Sequence, residues 1–233
     1  MPTIQPILLL ADSQLLFHRD DSGHPFGDRV REWLETPPAG AKAAYLGASN
    51  GDQPEYFELF AGAMAQVGLT DCRMIPSRPL AEDLDFLAVA DLVLLAGGEV
   101  RRGWEVLTEN GVAGRLPELH WSGALLVGVS AGAVQLGLFG WDEESGEPFP
   151  VSRLVPLLVD AHDEPAWERL TRAVQRCDGL VRGLGIPSGG GVVYHPDASL
   201  EPLRYPAVEL APGEEGEAGL RQTLLLPGAP APS

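Results

Sequence analysis

Short apolar runs recur along the first two thirds of the chain, separated by stretches in which apolar and polar residues alternate with a longer period. Each run is predicted to be a strand, because a strand buried on both faces of a parallel sheet needs apolar side chains in both directions. The predicted strands cover residues 7–11, 43–47, 69–75, 91–96, 124–127 and 154–159.

The stretches between these runs carry apolar residues at helical spacing. Helices are predicted over residues 28–35, 54–67, 80–90, 101–119 and 165–177. The rest of the chain is rich in glycine and proline and predicts β-like structure. Alternating strands and helices predict an α/β fold, with a mainly parallel sheet and helices on both faces. In such sheets the functional residues lie at the carboxyl ends of the strands.

Length and composition predict a single domain. The chain has 233 residues, of which 45% are hydrophobic, and this is enough for one sizeable core. We expect the domain to span residues 1–226 and to be followed by a disordered tail over residues 227–233.

The charge and the amino terminus restrict the possible partners. The formal net charge is -17, without a basic patch, which disfavours binding to nucleic acid. There is no long apolar run and no signal-peptide pattern, so we expect a cytoplasmic protein without a membrane partner. Cys72 and Cys177 lie far apart and outside any metal-binding pattern, so we expect neither a disulfide framework nor a zinc site.

The strongest local pattern is a serine between two glycines directly after a predicted strand. Gly128, Ser130 and Gly132 form Gly-x-Ser-x-Gly. This is the pattern of a nucleophile elbow, a turn so sharp that only glycine fits two residues on either side of the serine. The pattern therefore predicts an exposed Ser130 hydroxyl at the carboxyl end of the sheet, beside the next helix.

A serine nucleophile needs a base, and the chain offers five histidines: His18, His24, His120, His162 and His195. His162 follows a predicted strand and precedes a helix, which is where a partner of Ser130 is expected. His120 leads into the strand before Ser130 and is expected at the opposite edge. A single histidine is more often an ordinary surface residue, so the position of His162 is the main argument for it.

A carboxylate that orients the histidine is expected between Ser130 and His162. The pattern alone leaves four candidates open, although an acidic turn is often only a solvated one: Asp142, Glu143, Glu144 and Glu147. An oxyanion would need two donors. The N–H of Ala131 is one, and Gly97-Gly98, at the end of the preceding strand, can supply the other because no side chain blocks close approach.

Three segments together resemble peptidase family S51, whose members include peptidase E (aspartyl dipeptidase) and cyanophycinase. Residues 128–133 resemble the Gly-x-Ser-Ala-Gly-Ala/Ser elbow of the family. Residues 96–99, Ala-Gly-Gly-Glu, are similar to its Gly-Gly-Gly-Asn or Thr-Gly-Gly-Asp turn, and residues 154–162 resemble the strand that delivers its histidine. The resemblance covers roughly residues 7–186.

The resemblance implies a three-layer fold similar to flavodoxin and to the class I glutamine-amidotransferase domain. It implies Ser130 as nucleophile, His162 as base, oxyanion donors at Gly98 and Ala131, and no metal or cofactor. The family places its acid a little over a dozen residues after the serine, which implies Glu143, with Asp142 as the alternative.

The segments that would contact substrate depart from the family pattern. Ala166 stands where peptidase E has an arginine for a substrate aspartate, although Arg169 and Arg172 follow on the same helix. Glu99 replaces the asparagine or aspartate of the family and keeps an acceptor for a substrate ammonium or for capping the next helix. We predict that Gly97, Glu99 and Arg169 contact the substrate.

These observations predict a serine exopeptidase that hydrolyses short peptides through an acyl-enzyme, as a monomer or homodimer. Two alternatives stay open. One is a binding protein that keeps the fold without an active triad, and the other is a cyanophycinase-like hydrolase of β-linked Asp-Arg material.

Overall fold

The computed structural model describes residues 3–20, 22–142, 146–177, 181–213 and 219–228. The strands of these residues are β1 (Ile7–Leu10), β2 (Lys42–Leu46), β3 (Asp71–Ile75), β4 (Leu92–Leu95), β5 (Leu125–Val129), β6 (Phe139–Trp141), β7 (Pro148–Pro150), β8 (Leu157–Ala161), β9 (Arg182–Ile186), β10 (Gly191–Tyr194), β11 (Leu200–Leu203), β12 (Ala207–Pro212) and β13 (Leu220–Leu225). The α-helices are α1 (Phe26–Glu32), α2 (Pro54–Val67), α3 (Ala81–Leu87), α4 (Val100–Glu109), α5 (Leu116–Trp121), α6 (Ala131–Leu136) and α7 (Glu168–Arg176).

The main sheet has seven strands in the order β11-β10-β1-β5-β4-β2-β3. Strands β1 to β5 are parallel, whereas β10 and β11 extend the β1 edge in antiparallel pairing. Side chains alternate between two cores: Ile7 and Leu9 of β1 face one, and Leu8 and Leu10 face the other. Because both cores are apolar, the parallel strands are apolar in both directions, as the sequence pattern predicts.

Different elements cover the two faces of the main sheet. Helices α1 and α2 contribute to the core of Leu8 and Leu10, and helices α3 to α6 contribute to the core of Ile7 and Leu9. The predicted α/β fold, a mainly parallel sheet with helices on both faces, is confirmed.

A second sheet, in the order β13-β12-β9-β8, was not predicted. Leu157 and Val159 of β8 join the core of the main sheet, while Leu158 faces Leu170 and Val174 of α7. The apolar run of β8 is visible in the sequence, but its pairing with β9 and the antiparallel pairing of β9 with β12 are non-local. Strand β6 pairs with β7 in a separate two-stranded ribbon.

The predicted helix over residues 101–119 is two helices. It is interrupted after α4, where Gly111 has a φ of 77° and the side chain of Asn110 accepts a hydrogen bond from Val112 N at 3.0 Å. A 3₁₀ turn at Ala113–Arg115 then leads into α5. Asparagine and glycine favour such a break because both tolerate turn conformations. Most of the predicted tail, residues 229–233, lies outside the described residues.

No helix in the described part of the chain is long and apolar enough to cross a bilayer.

Candidate active site

Ser130 occupies the turn between β5 and α6 in an unusual backbone conformation. Its φ is 51° and its ψ is -110°. Ser130 N donates to Leu10 O at 2.8 Å, and its own carbonyl accepts from Ala133 N at 2.9 Å. A non-glycine residue in such a conformation costs about 1–3 kcal/mol and persists only where its surroundings fix it. The neighbouring strand and the first turn of α6 fix this one.

The two glycines of the pattern are sterically required. A Cβ on Gly128 would lie 2.6 Å from the carbonyl of Gly132, and a Cβ on Gly132 would lie 2.1 Å from Leu95 O on β4. Both distances are far below contact distance, and the second meets the backbone of the main sheet. The elbow predicted from Gly-x-Ser-x-Gly is therefore present, and it is closed tightly against β4.

Two backbone segments flank Ser130. Gly98 has a φ of 136°, and a Cβ there would lie 2.1 Å from Ser49 O, so this turn also requires glycine. A Cβ on Gly97 would lie 3.3 Å from Ser130 Cβ, which shows how closely the end of β4 approaches the elbow. Within the described chain, no hydrogen bond uses the N–H of Ala131, as expected for the first turn of a helix. Gly98 and Ala131 line one cavity together with Ser130.

A fully buried glutamine on α6, Gln135, holds the turn at Gly97-Gly98 in place. Gln135 Nε2 donates to Ser49 Oγ and to Val100 O, both at 2.9 Å. These bonds connect α6 to the loop after β2 and to the start of α4. A Cβ on Gly103 would lie 2.0 Å from Ser49 Oγ, so α4 also packs closely against this loop.

His162 follows the last residue of β8 and is exposed to solvent. Its φ is 66°, and its N–H donates to Ile186 O at 3.3 Å. His162 and Ser130 line the same two cavities. Among the described residues, no hydrogen bond joins their side chains; instead, His162 Nδ1 lies 3.2 Å from Ser188 Oγ.

Ser188 connects His162 to a carboxylate. Ser188 N donates to Glu164 Oε1 at 3.2 Å. Burial alone would raise the pKa of Glu164, but hydrogen bonds from Ser188 and the nearby His162 hold that pKa below its usual value. Glu164 is therefore ionised at neutral pH and close to the imidazole.

The acidic turn after β6 is only partly described. Glu143, the predicted acid, lies outside the described residues, as does Glu144. The alternative, Asp142, accepts a hydrogen bond from Arg101 Nε at 2.8 Å, and Glu147 lies 3.5 Å from Arg176 Nη1. Both described carboxylates of this turn thus pair with arginines.

Two cavities meet at Ser130, and both include Gly98 and His162 in their walls. The first has a volume of about 310 Å³ and is mainly apolar, with Leu16, Phe17, Tyr56, Leu59 and Phe60 among its lining residues. The second has a volume of about 240 Å³ and contains charged side chains as well as Val100, Val134 and Trp141.

One of the charged side chains of the second cavity is Asp160, on β8. Its exposed fraction is only 3%. Oδ1 accepts hydrogen bonds from Ala161 N at 2.9 Å and from Arg169 Nη2 at 3.2 Å, whereas Oδ2 has no partner among the described residues. Burial raises the pKa of Asp160 to about 7, although the charge of Arg169 opposes the shift.

Arg169, a predicted substrate contact, lines the same cavity. Its guanidinium also lies 3.5 Å from Asp163 Oδ1 and 3.2 Å from the carbonyl of Ala161. Glu99, another predicted contact, is exposed at the start of α4, and its N–H donates to Ser49 O at 2.9 Å.

The other histidines lie away from the two cavities at Ser130. His120 Nε2 lies 2.9 Å from Gln5 O, before β1, and burial lowers its pKa. His195 contacts Glu201 at 3.0 Å, and His18 and His24 line a separate cavity near α1. The position of His120 agrees with the expectation from the order of its segment in the chain.

Sequence reasoning did not single out three residues of this region. Asp160 had a usable signal, because a carboxylate interrupts the apolar run of β8 two residues before His162. Glu164 lies in a polar segment with several other acidic residues, and Ser188 lies in a Pro-Ser-Gly turn. Neither had a distinguishing signal, because their proximity to His162 depends on the second sheet.

Comparison with known proteins gives two similar folds and one family match. No curated protein matches the chain. A crystal structure of a peptidase from an acI-B1 Actinobacterium is similar, with a TM-score of 0.71, 15% identity, and coverage of 98% of this chain and 96% of that one. A putative peptidase E protein from Listeria monocytogenes EGD-e is also similar, with a TM-score of 0.62, 15% identity, and coverage of 87% and 99%.

These two similarities concern the fold. The model of peptidase family S51 matches residues 6–144, which include Ser130 and more than half of the chain. The chain therefore belongs to peptidase family S51, and this membership supports a peptidase function.

Proposed function

We propose that the chain is a serine exopeptidase that hydrolyses short peptides through an acyl-enzyme on Ser130. The observation that carries the proposal is the strained turn at Ser130, which shares two cavities with His162. A backbone strain that three close glycine contacts maintain is typical of a site at which a hydroxyl must be presented. Family membership supports the same reaction class.

In this mechanism Ser130 Oγ attacks the carbonyl carbon of the scissile bond, and His162 accepts the hydroxyl proton. The negative charge that develops on the carbonyl oxygen is stabilised by the N–H groups of Gly98 and Ala131. The C–N bond then breaks as His162 returns the proton to the leaving amine. Water, deprotonated by His162, hydrolyses the ester and regenerates Ser130.

We propose that Ser188 and Glu164 position His162. If Nδ1 donates to Ser188 Oγ, then Nε2 is unprotonated and is the ring nitrogen that serves Ser130. Glu164 accepts a hydrogen bond from Ser188 N, and its nearby carboxylate stabilises the imidazolium that forms during the reaction. Glu143 stays the sequence-based prediction for the same role, and glutamine exchange at each position distinguishes the two.

The test is the turnover of a panel of dipeptides and tripeptides, with free and blocked ends, by the wild-type protein and by Ser130→Ala. We expect Ser130→Ala to lose activity by about 10⁴-fold or more, with unchanged circular dichroism. Ser122→Ala, in the loop before β5, is the matched control and keeps full activity. Unchanged turnover in Ser130→Ala contradicts the proposal, and a folded wild-type protein that binds peptides without cleaving them favours the binding-protein alternative.

A further inference from the structure

The second cavity at Ser130 contains a buried carboxylate that the proposed mechanism does not use. Asp160 is 3% exposed, and its Oδ2 has no hydrogen-bond partner among the described residues. A buried polar atom without a partner costs about 1–3 kcal/mol. Such a cost is reduced when a ligand supplies the missing donor, and Asp160 is in the wall of a cavity that also reaches Ser130 and His162.

The charge balance of this cavity favours a cation. Among the described residues that line this cavity, Arg169 carries the positive charge. It contacts two carboxylates, Asp160 at 3.2 Å and Asp163 at 3.5 Å. Asp163 lies outside the lining of the cavity but shares the charge of Arg169, so Arg169 does not fully balance Asp160 when that carboxyl is ionised. A substrate carboxylate entering this cavity would therefore face Asp160, whereas an ammonium or guanidinium group would complete the charge balance.

The size and the walls of the cavity indicate the kind of cation. Its volume is about 240 Å³, whereas a water-sized group such as an ammonium occupies about 30 Å³. Val100, Val134 and Trp141 are apolar lining residues of the same cavity as Asp160. A long side chain that is apolar along its stem and charged at its end fits such a cavity, because the stem packs against apolar surface while the head meets the carboxylate.

We propose that this cavity is a subsite for a lysine or arginine side chain next to the scissile bond, with Asp160 as the residue that recognises its charge. The proposal rests on the proposed peptidase function and gives it a substrate class: short peptides with a basic residue beside the cleaved bond. The apolar cavity that also has Ser130 in its wall is then available to the other flank of the substrate.

The test compares kcat/KM for peptides that differ at one side chain. The series is lysine, Nε-acetyl-lysine and glutamate, each paired with phenylalanine in both orders and each with a free or acetylated α-amine. We expect the wild-type protein to prefer lysine over Nε-acetyl-lysine by at least about tenfold in one order, whether or not the α-amine is acetylated. Asp160→Asn should remove this preference, because it should lower kcat/KM for the lysine peptides at least about tenfold more than for the Nε-acetyl-lysine peptides.

The matched control is Asp85→Asn, the same substitution at an exposed position on α3, and it should keep the preference. Three results overturn the proposal: no preference for lysine in the wild-type protein, an equal loss for all peptides in Asp160→Asn, or a preference that disappears when the α-amine is acetylated. The second result would indicate a purely structural role for Asp160, and the third would indicate that the cavity binds an α-ammonium.

A binding measurement separates this proposal from the peptidase function. Calorimetric titration of Ser130→Ala with the same peptides needs no turnover. If wild-type protein cleaves none of them but Ser130→Ala binds the lysine peptides preferentially, and the added Asp160→Asn change removes that preference, then the subsite stands and the peptidase function fails. Binding without any preference for lysine overturns the subsite, whatever the outcome of the cleavage assay.

Discussion

The two sides of Ser130 are built from different kinds of interaction. On the main-sheet side, backbone contacts around Gly98, Gly128 and Gly132 fix the elbow, with no room for a single added carbon atom. On the second-sheet side, His162 is held by a side-chain contact with Ser188, and Asp160 is held by an ion pair with Arg169. Both His162 and Arg169 are exposed to solvent. The first side therefore depends on steric fit and the second on charge and protonation.

This difference predicts that the two sides respond to different perturbations. Added volume should disrupt the main-sheet side and leave no folded elbow. Changes of charge or pH should alter the second-sheet side while the fold persists. The predictions below test this contrast, in order of decreasing effect.

Removal of the imidazole should abolish activity without loss of stability. We expect His162→Ala to lower kcat by about 10⁴-fold or more, equivalent to about 5.5 kcal/mol of barrier, because the base and its proton transfer are lost together. Thermal unfolding should shift little, since the side chain is exposed. His24→Ala, in an exposed loop, is the control; a His162→Ala protein that retains activity contradicts the assignment.

An added methyl group at the elbow should instead lower the stability of the fold. Gly132→Ala places a Cβ 2.1 Å from Leu95 O, and we expect it to lower the free energy of unfolding by about 4 kcal/mol or more, or to prevent folding. Urea unfolding measures the change. Gly62→Ala, on α2 with open space around the new Cβ, should be neutral or stabilising by up to about 1 kcal/mol. Equal stabilities for the two variants would refute the steric account.

The buried carboxylate should make stability depend on pH. Burial raises the pKa of Asp160 from 3.8 to about 7, with Asp163 and Glu164 adding to the shift and Arg169 opposing it. Between these two values the folded protein binds more protons than the unfolded chain, so stability falls as pH rises from about 4 to about 7 and this contribution is constant above that.

The expected size of this effect is about 2–4 kcal/mol. Urea unfolding of wild-type protein and of Asp160→Asn at a series of pH values measures it, because the variant lacks this titration. As pH rises from about 4 to about 7, the unfolding free energy of Asp160→Asn should increase relative to that of the wild-type protein. A constant difference would show that the carboxyl group does not titrate as described.

Loss of the positioning hydrogen bond should have the smallest effect. We expect Ser188→Ala to lower kcat by about tenfold, with KM nearly unchanged and a shifted pH profile, because Nδ1 loses one hydrogen bond worth about 1.4 kcal/mol. Glu164→Gln and Glu143→Gln measured in parallel identify the carboxylate that orients His162. A far larger loss in Glu143→Gln than in Glu164→Gln would assign that role to Glu143 instead.

The sequence predicted the main-sheet side more completely than the second-sheet side. The apolar run before Ser130 and its two glycines are contiguous, so local pattern alone predicts the strand, the turn and the serine conformation. The strand of His162 was also visible, but the pairing of β8 with β9 joins distant segments, and no local pattern specifies it. The contacts of His162 with Ser188, and of Ser188 with Glu164, follow from that pairing.

The role of Asp160 could be predicted in part from the sequence. A carboxylate in the apolar run of β8 is a visible anomaly, because an ionised group is rarely buried unless it is paired. Its link to Arg169 becomes apparent only once α7 packs on β8. A charged residue inside a predicted buried strand is therefore worth treating as a candidate for the site, even before its partner is known.

The most direct test of the central claim is covalent labelling of the wild-type protein with a fluorophosphonate, followed by intact mass measurement and peptide mapping. We predict one adduct per chain on Ser130, no adduct in Ser130→Ala, and much slower labelling in His162→Ala. Absence of an adduct from a protein that cleaves peptides, or an adduct that maps to another serine, would contradict the assignment of Ser130 as the nucleophile.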